Sequence, residues 1–310
     1  MTRVLVSGTS GLVGSALVRS LDSHGCEVTR LVRRSPRDSH ELNWNPMRLI
    51  PPELVSGFDA VIHLSGESIA GRWTESKKTR IRDSRVVSTN NLSRALSNAQ
   101  KSPKTFICAS AIGYYGNRGE EVLNDDALSG DGFLSAVCRE WELATRPAAD
   151  AGIRTVNLRI GVVLARDRGA LKQMLFPFRL GLGGKIGDGR QWWSWIHIDD
   201  LVSAVNHTMQ ATVSTTNVES LAPSPGHLCG PVNMVSANPV TCADFTKTLA
   251  RLLNRPTMLA VPAFAARLAF GEMADEGLLA SARVSPRKLI ESGFEFRFPD
   301  LTPALRDLLR

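Results

Sequence analysis

The chain has 310 residues, 43% of them hydrophobic and 22% charged, with a formal net charge of +7. That length can bury one large core or two modest ones, and the balance of apolar and charged residues is that of an ordinary soluble globular protein and argues against disorder. The positive charge suits acidic small molecules, but no basic run is interleaved with aromatics, which argues against nucleic acid as a partner.

The opening MTRVLVSGTSGLVGSALV is apolar but punctuated by glycines and poor in basic residues, so it reads as strand, turn and helix rather than a signal peptide. A strand is expected over 3–8 and a helix over about 12–22. Gly8, Gly11 and Gly14 lie between them in a Gly-x-x-Gly-x-x-Gly array. Small residues there let the backbone turn tightly against a pyrophosphate, whose charge is stabilised by free N–H groups at the helix N-terminus. Gly14 lets the helix close on the strand. Gly8, Ser10, Gly11, Leu12 and Val13 are therefore expected to bind a dinucleotide cofactor.

The second strand, EVTRLV (27–32), ends in LVRRSPR. An NAD site carries a carboxylate near this point for the ribose 2′-hydroxyl, whereas an NADP site carries a cation for the 2′-phosphate. Here Arg33 and Arg34 hold the tip, with Glu27 before it and Asp38 after it. NADP is the expected cofactor. Further strands are expected over 59–66, 105–110 and 155–164. Runs such as VIHL and TFICA are apolar without alternation, which places them in a parallel sheet covered on both faces. Helices are expected over 75–99 and 132–150.

Beyond residue 165, GLGGKIGDGRQ reads as a glycine-rich loop and SLAPSPGHLCGP as a connector. Thr241 and Asp244 have capping-box spacing ahead of an amphipathic helix. The expected fold class is α/β: a Rossmann-type doubly wound parallel sheet with a smaller C-terminal α/β substrate domain. Residues 1–165, completed by about 195–235, form the first unit, and 166–194 with 236–310 form the second. Five scattered cysteines, without any Cys-x-x-Cys, fit reduced thiols in the cytoplasm rather than a disulfide scaffold or zinc site. Without an apolar run of about 18 residues, no membrane partner is expected. His197, Asp199 and Asp200 only superficially suggest a metal site; Asp199 is expected to cap a helix, and no metal is expected. Trp192, Trp193 and Trp195 read as interdomain packing or as flat walls for a substrate.

With the glycine array, LSGE, SAIGYYG and WIHIDDLV together, the sequence resembles the extended short-chain dehydrogenase/reductases, the superfamily of nucleotide-sugar epimerases and dehydratases. More narrowly it resembles an NAD(P)-dependent epimerase-like branch in which some members are labelled cell-division inhibitors. GESIAGRWTESKKTRIRDSR, FLSAVCREWE, PFRLGLGGKIGDGRQWWSWIHIDDL and a tail reading GEMADEGLLASARVSPRKL carry that likeness. The resemblance covers essentially the whole chain. It implies that Leu64, Ser65 and Gly66 follow the cofactor after the fourth strand. It further implies that Arg85 presents a polar side chain from the neighbouring helix and that Gly161 and Val162 border the nicotinamide.

The resemblance also implies a Ser or Thr at the end of the fifth strand and a Tyr-x-x-x-Lys on the next helix. Ser110 matches the first. Leu134 and Cys138 stand where Tyr and Lys belong. The chain's only phenols, Tyr114 and Tyr115, follow Ser110 at the carboxyl end of a strand, where ligands bind in open α/β sheets. An unassisted phenol ionises near pH 10, so its anion costs about 4 kcal/mol at pH 7. Ser110, Tyr114 and Tyr115 are the catalytic candidates, and for the tyrosines packing is an equal alternative. Two functions follow: an NADP(H)-binding, epimerase-like oxidoreductase acting on a small-molecule substrate, or a non-catalytic NADP-binding sensor or interaction protein.

Overall fold

The structure, a computed structural model, describes residues 1–210, 228–257 and 260–310. In its first half β1 (Arg3–Ser7), β2 (Glu27–Val32), β3 (Glu41–Asn43), β4 (Ala60–His63) and β5 (Thr105–Ala111) alternate with helices α1 (Leu12–Ser23) and α2 (Glu75–Ser97). Thr74 starts α2 by accepting the Lys77 N–H at 3.2 Å. A 3-10 turn (Ile112–Tyr115) follows β5, then β6 (Val122–Leu123), α3 (Phe133–Leu143), α4 (Arg146–Asp150) and β7 (Arg154–Ile160). The rest comprises β8 (Val162–Leu164), α5 (Gly169–Arg179), β9 (Trp192–Trp193), β10 (Trp195–His197), α6 (Ile198–Gln210), β11 (Gly230–Met234) and β12 (Val240–Thr241). It ends in α7 (Cys242–Leu252), α8 (Ala263–Phe270), β13 (Arg283–Val284), α9 (Arg287–Glu291) and α10 (Leu301–Leu308).

The main sheet runs β11-β7-β5-β4-β1-β2-β3, all parallel. Its residues alternate between two cores, as a sheet covered on both faces requires. Val4, Val6 and Ile62 join Leu17, Leu21 and Val205 from α1 and α6, while Leu5 and Val61 join Leu92, Leu96 and Trp141 from α2 and α3. This is a Rossmann-like α/β fold. A third cluster, including Leu171, Phe178, Trp193, Trp195, Phe245 and Leu305, binds α5, α7 and α10 together. No helix among the described residues is long and apolar enough to cross a membrane.

Three expectations change. The expected strand 155–164 breaks at Gly161: the Val162 N–H turns to the Ser194 carbonyl at 2.9 Å, an approach that leaves no room for a Cβ at 161, and β8 leaves the main sheet to pair with β10. The expected helix 132–150 breaks after Leu143: Thr145 turns its hydroxyl back to the Glu142 carbonyl at 2.7 Å, and Pro147 opens the next helix. The connector 220–231 lies partly outside the described residues, and its end contributes the edge strand β11. Thr241 caps α7, its hydroxyl accepting the Asp244 N–H at 3.1 Å; the Asp244 carboxylate turns to that hydroxyl at 2.6 Å, where a full capping box would take the Thr241 backbone N–H.

Candidate dinucleotide and substrate site

Between β1 and α1 the chain turns at Gly8, whose φ of +75° favours glycine and whose Cβ, if present, would lie 2.7 Å from the Leu64 carbonyl. The turn is closed by Gly11 N–H to Gly8 O at 3.0 Å. A Cβ at Gly14 would sit 2.2 Å from that same Gly8 oxygen, so only glycine lets α1 approach so closely. No side chain caps α1 and no acid lies in its first turn, leaving its first amides to an external anion.

A cavity of about 800 Å³ opens beside this turn. Gly8, Ser10, Gly11, Arg33 and Arg34 line it, as do Leu64, Ser65 and Gly66 from the end of β4. Leu12, Val13, Arg85, Gly161 and Val162 are not among its walls. Arg85 lies behind Gly66, its guanidinium 5.1 Å from the Trp141 ring, and burial lowers its pKa. Val162 packs against the third core cluster. The uncapped amides and the cradle that any Cβ would fill suit a dinucleotide diphosphate.

The two arginines at the tip differ. Arg34 donates two parallel hydrogen bonds to Glu41, at 2.7 and 2.6 Å, and that carboxylate also accepts the Arg37 N–H at 2.8 Å. The Arg34 guanidinium and the Arg37 amide hold the Glu41 carboxyl well down, at about 2. Arg33 has no hydrogen bond or ion pair among the described residues. Sequence reasoning missed Arg30 and Glu41 in these walls. The available signal was a cation inside a strand of the sheet, EVTRLV.

Under the turn, buried His63 links Ser7 (Nδ1 to Oγ, 2.6 Å) to Ser88 (Nε2 to Oγ, 3.2 Å). Ser7 Oγ also accepts the Leu64 N–H at 3.3 Å, so one chain of polar groups ties together the ends of β1 and β4. Burial drives the His63 pKa down to about 4, so the ring is neutral.

At the carboxyl ends of β5 and β7 a second polar group is buried. Arg159 makes a paired contact with Glu142, Nε to Oε1 and Nη2 to Oε2, both at 2.8 Å. Ser110 is buried and donates its hydroxyl to Glu142 at 2.7 Å. Tyr115 is fully buried; its hydroxyl donates to Asn233 Oδ1 at 2.7 Å and accepts from Arg159 at 3.0 Å. Burial pushes that phenol up to about 12. Tyr114 is half-buried, with the Arg159 guanidinium stacked 3.4 Å from its ring centre and no hydrogen bond to its hydroxyl among the described residues. On α3, Cys138 is buried and pushed up to about 12, and Leu134 packs against Gly113. The first amides of α3 are taken: Phe133 N–H and Leu134 N–H each donate to the Glu276 carboxylate at 2.7 Å.

Trp193 and Trp195 are buried in the third core cluster, and Trp192 lies under the Arg283 guanidinium at 4.3 Å. The expected cap on α6 comes from a different residue. His197 Nδ1 accepts the Asp199 N–H at 3.1 Å, because Asp199 already lies inside the helix. That acceptance leaves the ring hydrogen on Nε2, 3.5 Å from Asp307. A metal-binding imidazole needs the opposite arrangement, with its second nitrogen donating, so the cluster of His197, Asp199 and Asp307 does not suit a metal.

A parallel sheet with an anion-ready helix terminus at the carboxyl end of its first strand defines a dinucleotide-binding α/β protein. The chain belongs to the NAD dependent epimerase/dehydratase family, which it matches over residues 4–219; residues 261–308 match a domain of unknown function, DUF1731. It is 43% identical to epimerase family protein Mb2239 of Mycobacterium bovis over 304 residues, 97% of this chain and 96% of that one. It superposes on the crystal structure of human epimerase family protein SDR39U1 (isoform 2) with NADPH, with a TM-score of 0.87, 33% identity and 99% coverage of both chains. A nucleoside-diphosphate sugar epimerase from Corynebacterium glutamicum gives a TM-score of 0.78 and 36% identity over 99% of this chain and 58% of that one.

Proposed function

We propose that this chain is an NADP(H)-dependent, epimerase-like oxidoreductase of the cytoplasm that acts on a small-molecule substrate. One observation carries the cofactor part: the uncapped start of α1 and the uncommitted Arg33 border one cavity. The relative crystallised with NADPH supports the same choice. When bound, the cofactor supplies or accepts a hydride. Gly8, Ser10 and Gly11 would hold its diphosphate, with Leu12 and Val13 offering their amides from the first turn. Leu64, Ser65 and Gly66 would flank it beyond β4, while Arg85 supports Gly66 from behind.

Of the three catalytic candidates, Tyr114 is assigned the substrate-facing role, supported by its hydroxyl having no partner among the described residues. Ser110 and Tyr115 are assigned to hold Glu142 and Arg159, and through them the plane on which Tyr114 stacks. Gly161, at the crossing of β7 and β8, would border the nicotinamide, with Val162 next to it. The five free thiols suit a reducing compartment.

The test is a fluorescence titration with NADPH. Submicromolar to micromolar binding, lost on Arg33→Glu, supports the reading; equal binding by wild type and variant refutes it. The second reading, a non-catalytic NADP sensor, is favoured by Leu134 and Cys138 standing where a proton-handling pair belongs. Oxidation of NADPH with any carbonyl or sugar nucleotide, lost in Tyr114→Phe, would exclude it.

A further inference from the structure

We propose that Arg30, and not Arg34, shares the 2′-phosphate of the dinucleotide with Arg33, and that Glu41 imposes this division by engaging Arg34. The inference rests on the NADP(H) reading above and deepens it. In the β2–β3 register Arg30 stands directly opposite Glu41, so the two share one face of the sheet, and both line the cavity. Glu41 is buried, and both its oxygens are used by Arg34 and by the Arg37 amide. Moving Arg34 onto a phosphate would strand that carboxylate beside a second anion. Glu67, the other acid in the wall, is matched by Lys77 at 2.8 Å.

Once these two pairs are set aside, the cations left in the wall are Arg30 and Arg33. Like Arg33, Arg30 has no side-chain hydrogen bond or ion pair among the described residues, and its buried Nε is without a partner. Buried guanidiniums are ordinarily paired, so one left without partners in the wall of a ligand cavity points to a missing acceptor. A phosphate monoester carries a charge of about −1.5 to −2 at neutral pH and three acceptor oxygens. It would offer acceptors to both guanidiniums and balance their charge together. Arg30 is then a binding residue outside the loop that follows β2, and Glu41 acts only by holding Arg34 away from the phosphate.

The experiment titrates NADPH, NADH, 2′-AMP and 5′-AMP against the full chain, its Arg30→Leu and Arg30→Gln variants, and the double variant Arg34→Leu/Glu41→Gln. Both Arg30 variants should weaken NADPH and 2′-AMP by roughly tenfold or more, the usual size for a charge-assisted hydrogen bond, and leave NADH and 5′-AMP unchanged. The double variant, which removes a neutral pair, should keep the wild-type NADPH-to-NADH ratio within about threefold. Gln preserves much of the polar volume at position 30, so the test survives if the Leu variant fails to fold. An unchanged ratio in folded Arg30 variants, or a ratio lost in the double variant, overturns the inference while the NADP(H) reading stands. Wild-type protein that binds neither NADPH nor 2′-AMP overturns both.

Discussion

His63 shows how a single buried side chain sets a pH limit. Its pKa falls from an ordinary 6.5 to about 4 because burial disfavours the charged ring. As pH drops below 6.5 the unfolded chain binds the proton first, so stability is present above that value and is lost down to about pH 4. The full effect is on the order of 3 kcal/mol. Urea midpoints measured at pH 4.5 and 7 should differ more for wild type than for His63→Gln; equal differences would remove His63 as the cause. The Arg159–Glu142 pair is less forgiving. Glu142→Gln leaves a buried guanidinium without its counter-charge and should cost about 3 kcal/mol or more. Ser110→Ala removes one hydrogen bond and should cost about 1 kcal/mol. Chemical denaturation of the two variants checks that order.

Helices in this fold are started by different devices, and function follows the difference. Thr74 and Thr241 cap α2 and α7 from the adjacent residue, whereas α1 is left open and α3 is closed by Glu276, more than 130 residues away. Thr241→Ala should cost about 1 kcal/mol of stability. Glu276→Gln should cost a similar amount by weakening charge at the α3 terminus, and amide exchange at Phe133 and Leu134 should quicken while that of α7 stays unchanged. The local devices were legible in the sequence: the glycine array, the Thr241 cap and the apolar strands all depend on neighbours a few residues apart. Glu276 on α3, Glu41 on Arg34 and Asn233 on Tyr115 were not, because nothing in a local pattern specifies which distant carboxylate or amide meets a given donor. The broken strand at Gly161 was hidden for the same reason, since its cause is the Ser194 backbone.

The molecule as a whole is stitched between its first two hundred residues and its last fifty. Buried Asp200 on α6 accepts Arg297 N–H and Phe298 N–H, each at 2.9 Å. Buried Asp125 accepts Lys288 N–H at 3.1 Å, and β13 pairs with β6. NADPH binding at one corner should therefore stabilise the entire chain in a single transition. At a hundred times its dissociation constant the gain is about 2.7 kcal/mol, readable as one shifted melting step. Two steps, with only one shifted, would show that the stitching is too weak to couple the parts.

The stitching also sets an order of events during biosynthesis. Asp200 leaves the ribosome long before the Arg297 and Phe298 amides that it accepts exist, so the nascent chain carries an acid that water must serve until the C-terminus is released. A ribosome-stalled chain ending at residue 260 should accordingly be cut by protease near α6, and release of the full-length chain should abolish that cleavage.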